Sequence, residues 1–255
     1  MRIICISLKN LLIKSGLIAL VVAIIFCMQS AAVYAVKTTA GRVLPIYSVE
    51  RTDMKISITF DCAWGTEHTD EILTCMAENG VKCTFFAVQF WVEKYPDYVQ
   101  KIFDAGHEIG THSKTHAYMS KQSESEIKEE LTSSVGAIEK ITNKKVTLFR
   151  APYGDYNNRL VSTASNLNLY TIQWDVDSLD WKNLSESEIA ERVINGVQPG
   201  SIILCHNNGL NTAKALPKIF KTLKERGYEF VPVGQLIHLN GYTVDASGRQ
   251  RKNAA

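Results

Sequence analysis

The sequence Lys-Ile-Ser-Ile-Thr-Phe-Asp-Cys-Ala-Trp-Gly at residues 55–65 determines the fold that we expect for this chain. Residues 55–60 alternate between polar and apolar side chains and are rich in β-formers, so they predict a strand. After a short polar segment, residues 67–79 have helical periodicity that stops at Asn79-Gly80. A strand followed by a helix is the unit from which parallel sheets are built.

The same unit recurs along the rest of the chain. Further strands are predicted at 82–88, 107–110, 146–149, 170–176, 201–205 and 229–233, and further helices at 92–105, 123–142, 158–167, 185–195, 212–226 and 234–238. Ser123 with Glu126, and Ser185 with Glu188, have the spacing of capping boxes at two helix starts. This alternation predicts an α/β fold with a parallel sheet of about seven strands, in a small or incomplete (β/α) barrel more than an open sheet.

Residues 1–35 have the pattern of a targeting segment. They contain Arg2, Lys9 and Lys14 but no acidic residue, and residues 16–28 are apolar before the small residues at 31–35. We therefore predict an exported protein that acts outside the cell or at the cell wall. It is either secreted or held by this N-terminal membrane segment, which is its one expected link to the membrane.

The remaining chain is expected to contain one domain. We predict a linker at 36–54, the domain at 55–238 and a polar C-terminal tail at 239–255 that frays. Without the three positive charges of the targeting segment, the formal net charge falls from +2 to −1. A nearly neutral domain gives no electrostatic argument for a nucleic-acid partner.

After the targeting segment, the chain has cysteines at positions 62, 75, 83 and 205, and no two of them form a CxxC pair. A zinc knuckle or a thioredoxin-type site is therefore not indicated. Cys75, Cys83 and Cys205 are expected to be small buried residues, although export leaves a disulfide open.

Polar residues fall just after predicted strands at five places: Asp61, His112, Arg150, Asp180 and His206. The carboxyl ends of parallel strands share one face, and sites form at that face. Side chains that are remote in sequence are thus expected to converge on one site.

The residue types at this face are those of metal-assisted hydrolysis. His112 and His116 are four residues apart, so on a helical turn both imidazoles could reach one divalent ion. An aspartate beside the ion could act as a base on bound water, and a separate histidine could protonate the leaving group. Backbone N–H groups near Gly154 could bind an oxyanion, and Trp181 could form either an apolar wall for a sugar or part of the core.

Five short segments, in order, resemble the motifs of the polysaccharide deacetylase family, also known as the NodB-homology domain or carbohydrate esterase family 4. They are Thr59-Phe60-Asp61, His112-Ser113-Lys114-Thr115-His116, Arg150-Ala151-Pro152-Tyr153-Gly154, Asp177-Ser178-Leu179-Asp180-Trp181 and Leu204-Cys205-His206. The resemblance extends over residues 55–237. It implies a distorted barrel that removes acetyl groups from sugar polymers.

The resemblance also implies catalytic roles for four residues. Asp61 would be the base and Arg150 would orient it. His206 would be the acid, and Asp180 would tune its pKa.

The metal and substrate contacts implied by the family follow from the same motifs. His112 and His116 would bind a divalent metal ion, with Zn²⁺ the first choice. Tyr153 would offer a backbone donor to the oxyanion, and Trp181 and Leu204 would line the acetyl pocket.

Cys62 departs from the family pattern, in which a second aspartate at this position binds the metal. Two outcomes remain open from the sequence. A Cys62 thiolate could be a ligand, giving a Cys-His-His site that suits Zn²⁺. Alternatively, Cys62 takes no part, and the metal binds weakly or is absent.

Residues 60–65 and 173–182 resemble a subgroup of the family from spore-forming bacteria. This implies a peptidoglycan substrate and a role in sporulation. The function that we expect is an exported N-deacetylase of N-acetylated cell-wall glycan. The alternatives are a degenerate, non-catalytic glycan-binding module of the same fold, or a structural exported protein whose histidines are surface residues.

Overall fold

A computed structural model of the protein describes residues 41–253. The predicted targeting segment at 1–35 lies outside the described residues, as does the start of the predicted linker. Among residues 41–253, no helix is both long enough and apolar enough to cross a bilayer.

Strands and helices alternate through most of the described chain. The strands are β1 Ser48–Val49, β2 Lys55–Cys62, β3 Thr84–Ala87, β4 Glu108–Thr111, β5 Leu148–Phe149, β6 Tyr170–Thr171, β7 Val176–Asp177, β8 Ile202–His206, β9 Glu229–Phe230, β10 Tyr242–Val244 and β11 Arg249–Lys252. The helices are α1 Thr69–Glu78, α2 Gln89–Lys94, α3 Pro96–Asp104, α4 Glu124–Thr142, α5 Asn158–Asn166, α6 Glu186–Gly196, α7 Thr212–Glu225 and α8 Val233–Leu236. Both predicted capping boxes are present, at the starts of α4 and α6.

The main sheet is parallel and has the strand order β6-β5-β4-β3-β2-β8-β7, with β9 pairing at the start of β2. It curls into part of a barrel, which confirms the predicted fold class. The longest strand, β2, is central and is buried over seven of its eight residues. The carboxyl ends of the parallel strands therefore surround the end of β2.

The two faces of β2 have different chemistry because side chains alternate along a strand. Ile56, Ile58, Phe60 and Cys62 belong to the large apolar core that includes side chains from α1, α6 and α7. The intervening residues Ser57, Thr59 and Asp61 are buried polar side chains. One face of the strand thus packs the core, and the other presents polar groups to the inside of the curled sheet.

The predicted helix at 92–105 is two helices, α2 and α3, and they meet at Tyr95-Pro96. Proline has no N–H to continue a helix but is favoured at the first helical position. Pro96 therefore begins α3.

The predicted strand at 170–176 is also divided, into β6 and β7. Between them, the Gln173 N–H donates to the Ile46 carbonyl at 2.7 Å, and the Asp175 carboxylate accepts from the Ile202 N–H at 2.8 Å. The segment leaves the regular ladder to make these bonds with residues that are remote in the sequence.

The C-terminal segment does not fray as predicted. β11 lies between β10 and β1, so residues at the end of the chain pair with residues of the predicted linker. The Gln250 side chain is fully buried: it donates to the His238 carbonyl at 2.7 Å and accepts from the His238 N–H at 2.8 Å. A polar residue in a polar stretch gave no sequence signal for this burial.

Gln250→Ala is expected to lower the free energy of unfolding by about 2 kcal/mol, because both His238 backbone groups lose a buried partner. Urea unfolding followed by circular dichroism measures the change. The exposed neighbour Lys252→Ala is the control and should stay within about 0.5 kcal/mol of the parent. Equal stability of the two variants would contradict a structural role for the terminal strands.

Candidate active site

Five strand-end residues identified from the sequence lie around one cavity or directly behind it. Asp61 and His206 are in register on the paired strands β2 and β8. His112 follows β4, Arg150 follows β5 and Asp180 lies in a turn after β7. The parallel topology therefore brings them together as the sequence predicted.

Arg150 is the buried centre of this group. Its Nη1 donates to Thr59 Oγ1 at 2.7 Å and to Asp61 Oδ1 at 2.8 Å, and its Nη2 donates to the Gln173 carbonyl at 3.1 Å. The guanidinium lies over the Phe86 ring, 4.2 Å from the centroid. These contacts fix both its position and its charge.

Asp61 is held ionised by this arrangement. Burial by itself raises the pKa of the Asp61 carboxyl, but the charge and hydrogen bond of the neighbouring Arg150 guanidinium outweigh burial and lower the pKa. Oδ1 is bonded to Arg150, whereas Oδ2 faces His112 Nε2 at 3.4 Å. One carboxylate oxygen is thus anchored and the other is directed toward the histidines.

His206 is paired with Asp180 on another side of the cavity. Its Nδ1 lies 2.7 Å from Asp180 Oδ1, and Asp180 Oδ2 accepts from the His206 N–H and from Thr212 Oγ1, each at 2.7 Å. Burial lowers the pKa of His206, but the hydrogen bond and charge of fully buried Asp180 reverse that effect and raise it. The imidazole is therefore suited to donate a proton.

The loop that contains His112 and His116 is not the helical turn that the spacing suggested. Ser113 and His116 have φ angles of 72° and 58°, in the left-handed region. The backbone amides of Lys114 and Thr115 both donate to Glu130 Oε2 at 2.9 Å. Glu130, on α4, thus fixes the loop, and the sequence analysis missed it because a glutamate in a helix gives no signal of burial.

The two imidazoles still meet, with ring centroids 5.0 Å apart. The carbonyl of Arg150 accepts from His112 Nδ1 at 2.8 Å, so the lone pair of His112 is on Nε2, facing Asp61. His116 Nδ1 is buried without a hydrogen-bond partner. Burial lowers the pKa of both rings, that of His116 to about 4, which favours the neutral form of imidazole that metal binding requires.

These groups fit a divalent cation held by His112 and His116. A neutral imidazole nitrogen and a carboxylate oxygen that face each other at 3.4 Å are both acceptors, and a cation beside them removes their repulsion. The unpartnered His116 nitrogen points to the same need. Within residues 41–253, however, no three His, Cys, Asp or Glu side chains form a group that could hold a metal ion.

Cys62 is not brought to the cavity. Its side chain is fully buried in the apolar core, with Sγ 3.9 Å from the Phe60 carbonyl oxygen. Burial and the negative charge of Asp61 raise the pKa of the Cys62 thiol well above its usual range. All four cysteines of the described chain are free thiols.

The cavity has a volume of about 500 Å³ and includes the predicted substrate residues Tyr153, Trp181 and Leu204 in its lining. Trp181 is 56% exposed, so it forms a wall of the cavity and is not part of the core. The lining also contains residues that the sequence analysis did not assign to the site: Ala63, Trp64, Trp174, Asp177 and Asn208. The aromatic residues among them could have been found from their places beside the motifs.

Comparison with known proteins agrees with this fold. The sequence profile of the family described as polysaccharide deacetylase matches residues 48–172. A peptidoglycan-N-acetylglucosamine deacetylase of Bacillus cereus is 32% identical over 196 residues, which cover 75% of this chain and 92% of that protein. The chain belongs to the polysaccharide deacetylase family.

A solved structure adds a relative of a different kind. Wild-type BA3943 of Bacillus anthracis, described as a CE4 family pseudoenzyme, matches with a TM-score of 0.74 and 31% identity, covering 83% of this chain and 73% of that one. A BA3943 mutant described as having restored enzymatic activity matches with a TM-score of 0.74 and 35% identity over 77% and 71% of the two chains.

Other relatives are longer than this chain. It spans 60% of the uncharacterised protein YlxY of Bacillus subtilis, at 31% identity over 76% of its own length. It spans 39% of PgdA, a peptidoglycan-N-acetylglucosamine deacetylase of Listeria monocytogenes, at 32% identity over 73% of its own length.

Replacing Arg150 tests the buried ion pair through stability. Arg150→Met is expected to cost about 3 kcal/mol at pH 7, because it leaves Asp61 charged and unpaired in the interior. In the parent, the lowered pKa of Asp61 means that its contribution is lost as pH falls through that folded-state pKa. In the variant, the charge of Arg150 is absent, so burial raises the pKa of Asp61. The free energy of unfolding should therefore rise as pH falls.

Urea unfolding at several pH values measures these opposite slopes. The exposed Lys221→Met variant, which also removes one positive charge, should keep the parent's slope. The same slope in Arg150→Met and in the parent would show that Arg150 does not hold Asp61 ionised.

Proposed function

We propose that this protein removes N-acetyl groups from cell-wall glycan, with peptidoglycan amino sugars as the substrate class. One observation carries the proposal: an anchored carboxylate, Asp61 with Arg150, and an anchored imidazole, His206 with Asp180, face the same cavity. Amide hydrolysis needs a base for water and an acid for the leaving amine. The family membership and the peptidoglycan deacetylases among the relatives support this choice.

In the proposed reaction, Asp61 Oδ2 takes a proton from the attacking water. His206 then gives a proton to the nitrogen of the leaving sugar, and the pair with Asp180 keeps it protonated until that step. The backbone of Tyr153, which has φ 61° at the rim of the cavity, is the proposed oxyanion donor. Trp181 and Leu204 enclose the acetyl methyl and exclude water from it.

A divalent ion, with Zn²⁺ the first choice, would be held by His112 and His116. When bound, it would polarise the acetyl carbonyl and lower the pKa of water at the site. We infer that Cys62 is not a ligand, because its buried thiol packs with Phe60 and not with the histidines. The ion would then have two protein ligands, and we expect it to bind weakly.

The position of Cys62 favours a second function, a glycan-binding module without catalysis. The similarity to a pseudoenzyme supports this alternative. In that case the cavity would bind N-acetylated glycan, and Asp61→Asn would leave binding unchanged. Export and a role in sporulation form part of the proposal, and they are supported by the N-terminal sequence and the motif resemblance.

Substituting Cys62 separates the two functions. Cys62→Asp introduces the carboxylate that the family pattern has at this position, and a charge buried there is unfavourable unless it binds a cation. The variant is therefore expected to bind Zn²⁺ more tightly and to release acetate faster. Metal content after dialysis, the thermal shift on adding Zn²⁺ and acetate release from peptidoglycan fragments are measured together. Cys75→Asp, which changes a buried cysteine remote from the cavity, is the matched control and should gain neither.

Each result of this experiment has a definite meaning. Loss of metal in Cys62→Asp would show that the thiolate is a ligand. Acetate release by the parent that falls at least about 100-fold in Asp61→Asn supports deacetylation. No release at saturating Zn²⁺, Co²⁺ or Mn²⁺, with glycan binding intact in Asp61→Asn, would leave only the binding function.

The pH dependence of deacetylation should report on His206. Activity falls as pH rises through its pKa, because only the protonated ring can act as the acid. Asp180→Asn removes the charge that raises this pKa, so the alkaline limb of kcat/KM should move to lower pH. Asp104→Asn, on the surface of α3, should leave the limb in place. An unmoved limb in Asp180→Asn would contradict the role of His206 as the acid.

A further inference from the structure

Two exposed tyrosines form a stacked pair that extends away from the catalytic cavity. The rings of Tyr118 and Tyr153 are 4.3 Å apart with an interplanar angle of 16°, and the residues are 49% and 55% exposed. Tyr153 lines the cavity, whereas Tyr118 lies beyond it. Clustered exposed aromatic side chains mark binding surfaces more often than single ones do.

Contacts of the neighbouring backbone fix the positions of Tyr118 and Tyr153. Next to Tyr118, Met119 is fully buried, and the Ser120 carbonyl accepts from Asn157 Nδ2 at 2.7 Å. The Ser120 N–H donates to Asp155 Oδ2 at 3.2 Å. Tyr153 has a φ of 61°, a conformation that is costly for a side chain of this size and that is found at ligand sites. The exposed rings are therefore fixed on a rigid base.

The pair is continuous with the reaction centre. The Tyr153 ring meets His116 at 4.6 Å, and Trp64 meets the same imidazole at 4.9 Å. Aromatic side chains run from Trp64 through His116 and Tyr153 to Tyr118, leading out of the cavity. The apolar C–H face of a sugar ring packs on such a surface while its hydroxyl groups remain in water.

A positive charge lies at the outer end of this row. Lys121 Nζ is 4.8 Å from the centroid of the Tyr118 ring, and Lys121 is exposed. Within the described part of the chain, this ammonium is held over an aromatic ring and forms no ion pair with a carboxylate. It is available to a negative group on a ligand that covers Tyr118.

We propose that Tyr118 and Lys121, with Tyr153 at the rim of the catalytic cavity, form a second sugar subsite beside that cavity for a sugar that carries a carboxylate. The inference rests on the proposed function, because it places the acetylated sugar in the cavity and the next sugar on the tyrosines. The substrate is then a chain of at least two sugars. The charge selects glycans whose sugar carries a free carboxylate, such as N-acetylmuramic acid units without a stem peptide, over neutral N-acetylglucosamine oligomers.

Binding of defined sugars to the purified full-length protein tests the stacking surface. The probes are N-acetylglucosamine, its dimer and trimer, and the disaccharide of N-acetylglucosamine and N-acetylmuramic acid with a free carboxylate. Calorimetry measures their binding. The ratio of trimer to monosaccharide affinity should fall by roughly fivefold to tenfold in Tyr118→Ala. Tyr118→Phe, which keeps the ring, should retain the ratio of the parent.

The charge is tested by Lys121→Met. The parent should bind the carboxylated disaccharide up to about fivefold more tightly than the neutral dimer, and added salt should reduce this preference. Lys121→Met should lose both the preference and its salt dependence. Lys94→Met is the matched control, because Lys94 lies 5.1 Å from the Tyr95 ring away from the cavity, and it should behave as the parent does.

The outcomes separate this inference from the proposed function. Acetate release with an unchanged affinity ratio in Tyr118→Ala would overturn the subsite alone. Binding that depends on Tyr118 and Lys121, without acetate release, would support the subsite and overturn the deacetylase. Equal affinity of the parent for neutral and carboxylated sugars would overturn the charge selection, and binding of none of the probes would overturn both proposals.

Discussion

The buried ion pair between Asp61 and Arg150 is the interaction on which the site depends. The Arg150 side chain joins the central strand to the segment between β6 and β7, and its backbone carbonyl orients His112. Desolvating two charges costs more than a simple pair recovers, and here Arg150 Nε has no hydrogen-bond partner. The pair is therefore better understood as a device that keeps Asp61 ionised inside the protein than as a source of stability.

Residues with left-handed backbone conformations position the other parts of the site. Ser113 and His116 turn the histidine loop, Tyr153 lies at the rim, and Leu179, with φ 53°, places Asp180 beneath His206. Each such residue costs on the order of 1–3 kcal/mol and must be held by its surroundings. Glu130 does this for the histidine loop through three hydrogen bonds. The loops of the site are held by such supports, whereas Asp61 and His206 are held by the paired strands β2 and β8.

The sequence was sufficient for the fold class and for the convergence of the strand-end residues, because both follow from the alternation of strands and helices. Predictions from the sequence were wrong where the local backbone conformation depends on side chains that are remote in the sequence. The HxxxH spacing suggested a helix, but Glu130 stabilises a left-handed loop instead. The polar tail suggested fraying, but Gln250 finds both backbone partners on His238. Neither partner is identifiable from spacing along the chain.

Cys62 is the residue that separates this site from a complete one. Strand alternation places its side chain in the core beside Phe60, while Asp61 points to the inside of the curled sheet. The proposed acid and base therefore remain, and Cys62 adds no third ligand to the proposed metal site. Anomalous diffraction at the zinc edge from crystals soaked in Zn²⁺ tests this account most directly. We predict an ion bound by His112 and His116, with the Cys62 sulfur still packed in the core. Zinc bound to the Cys62 sulfur, or no zinc at the two histidines, would contradict the account.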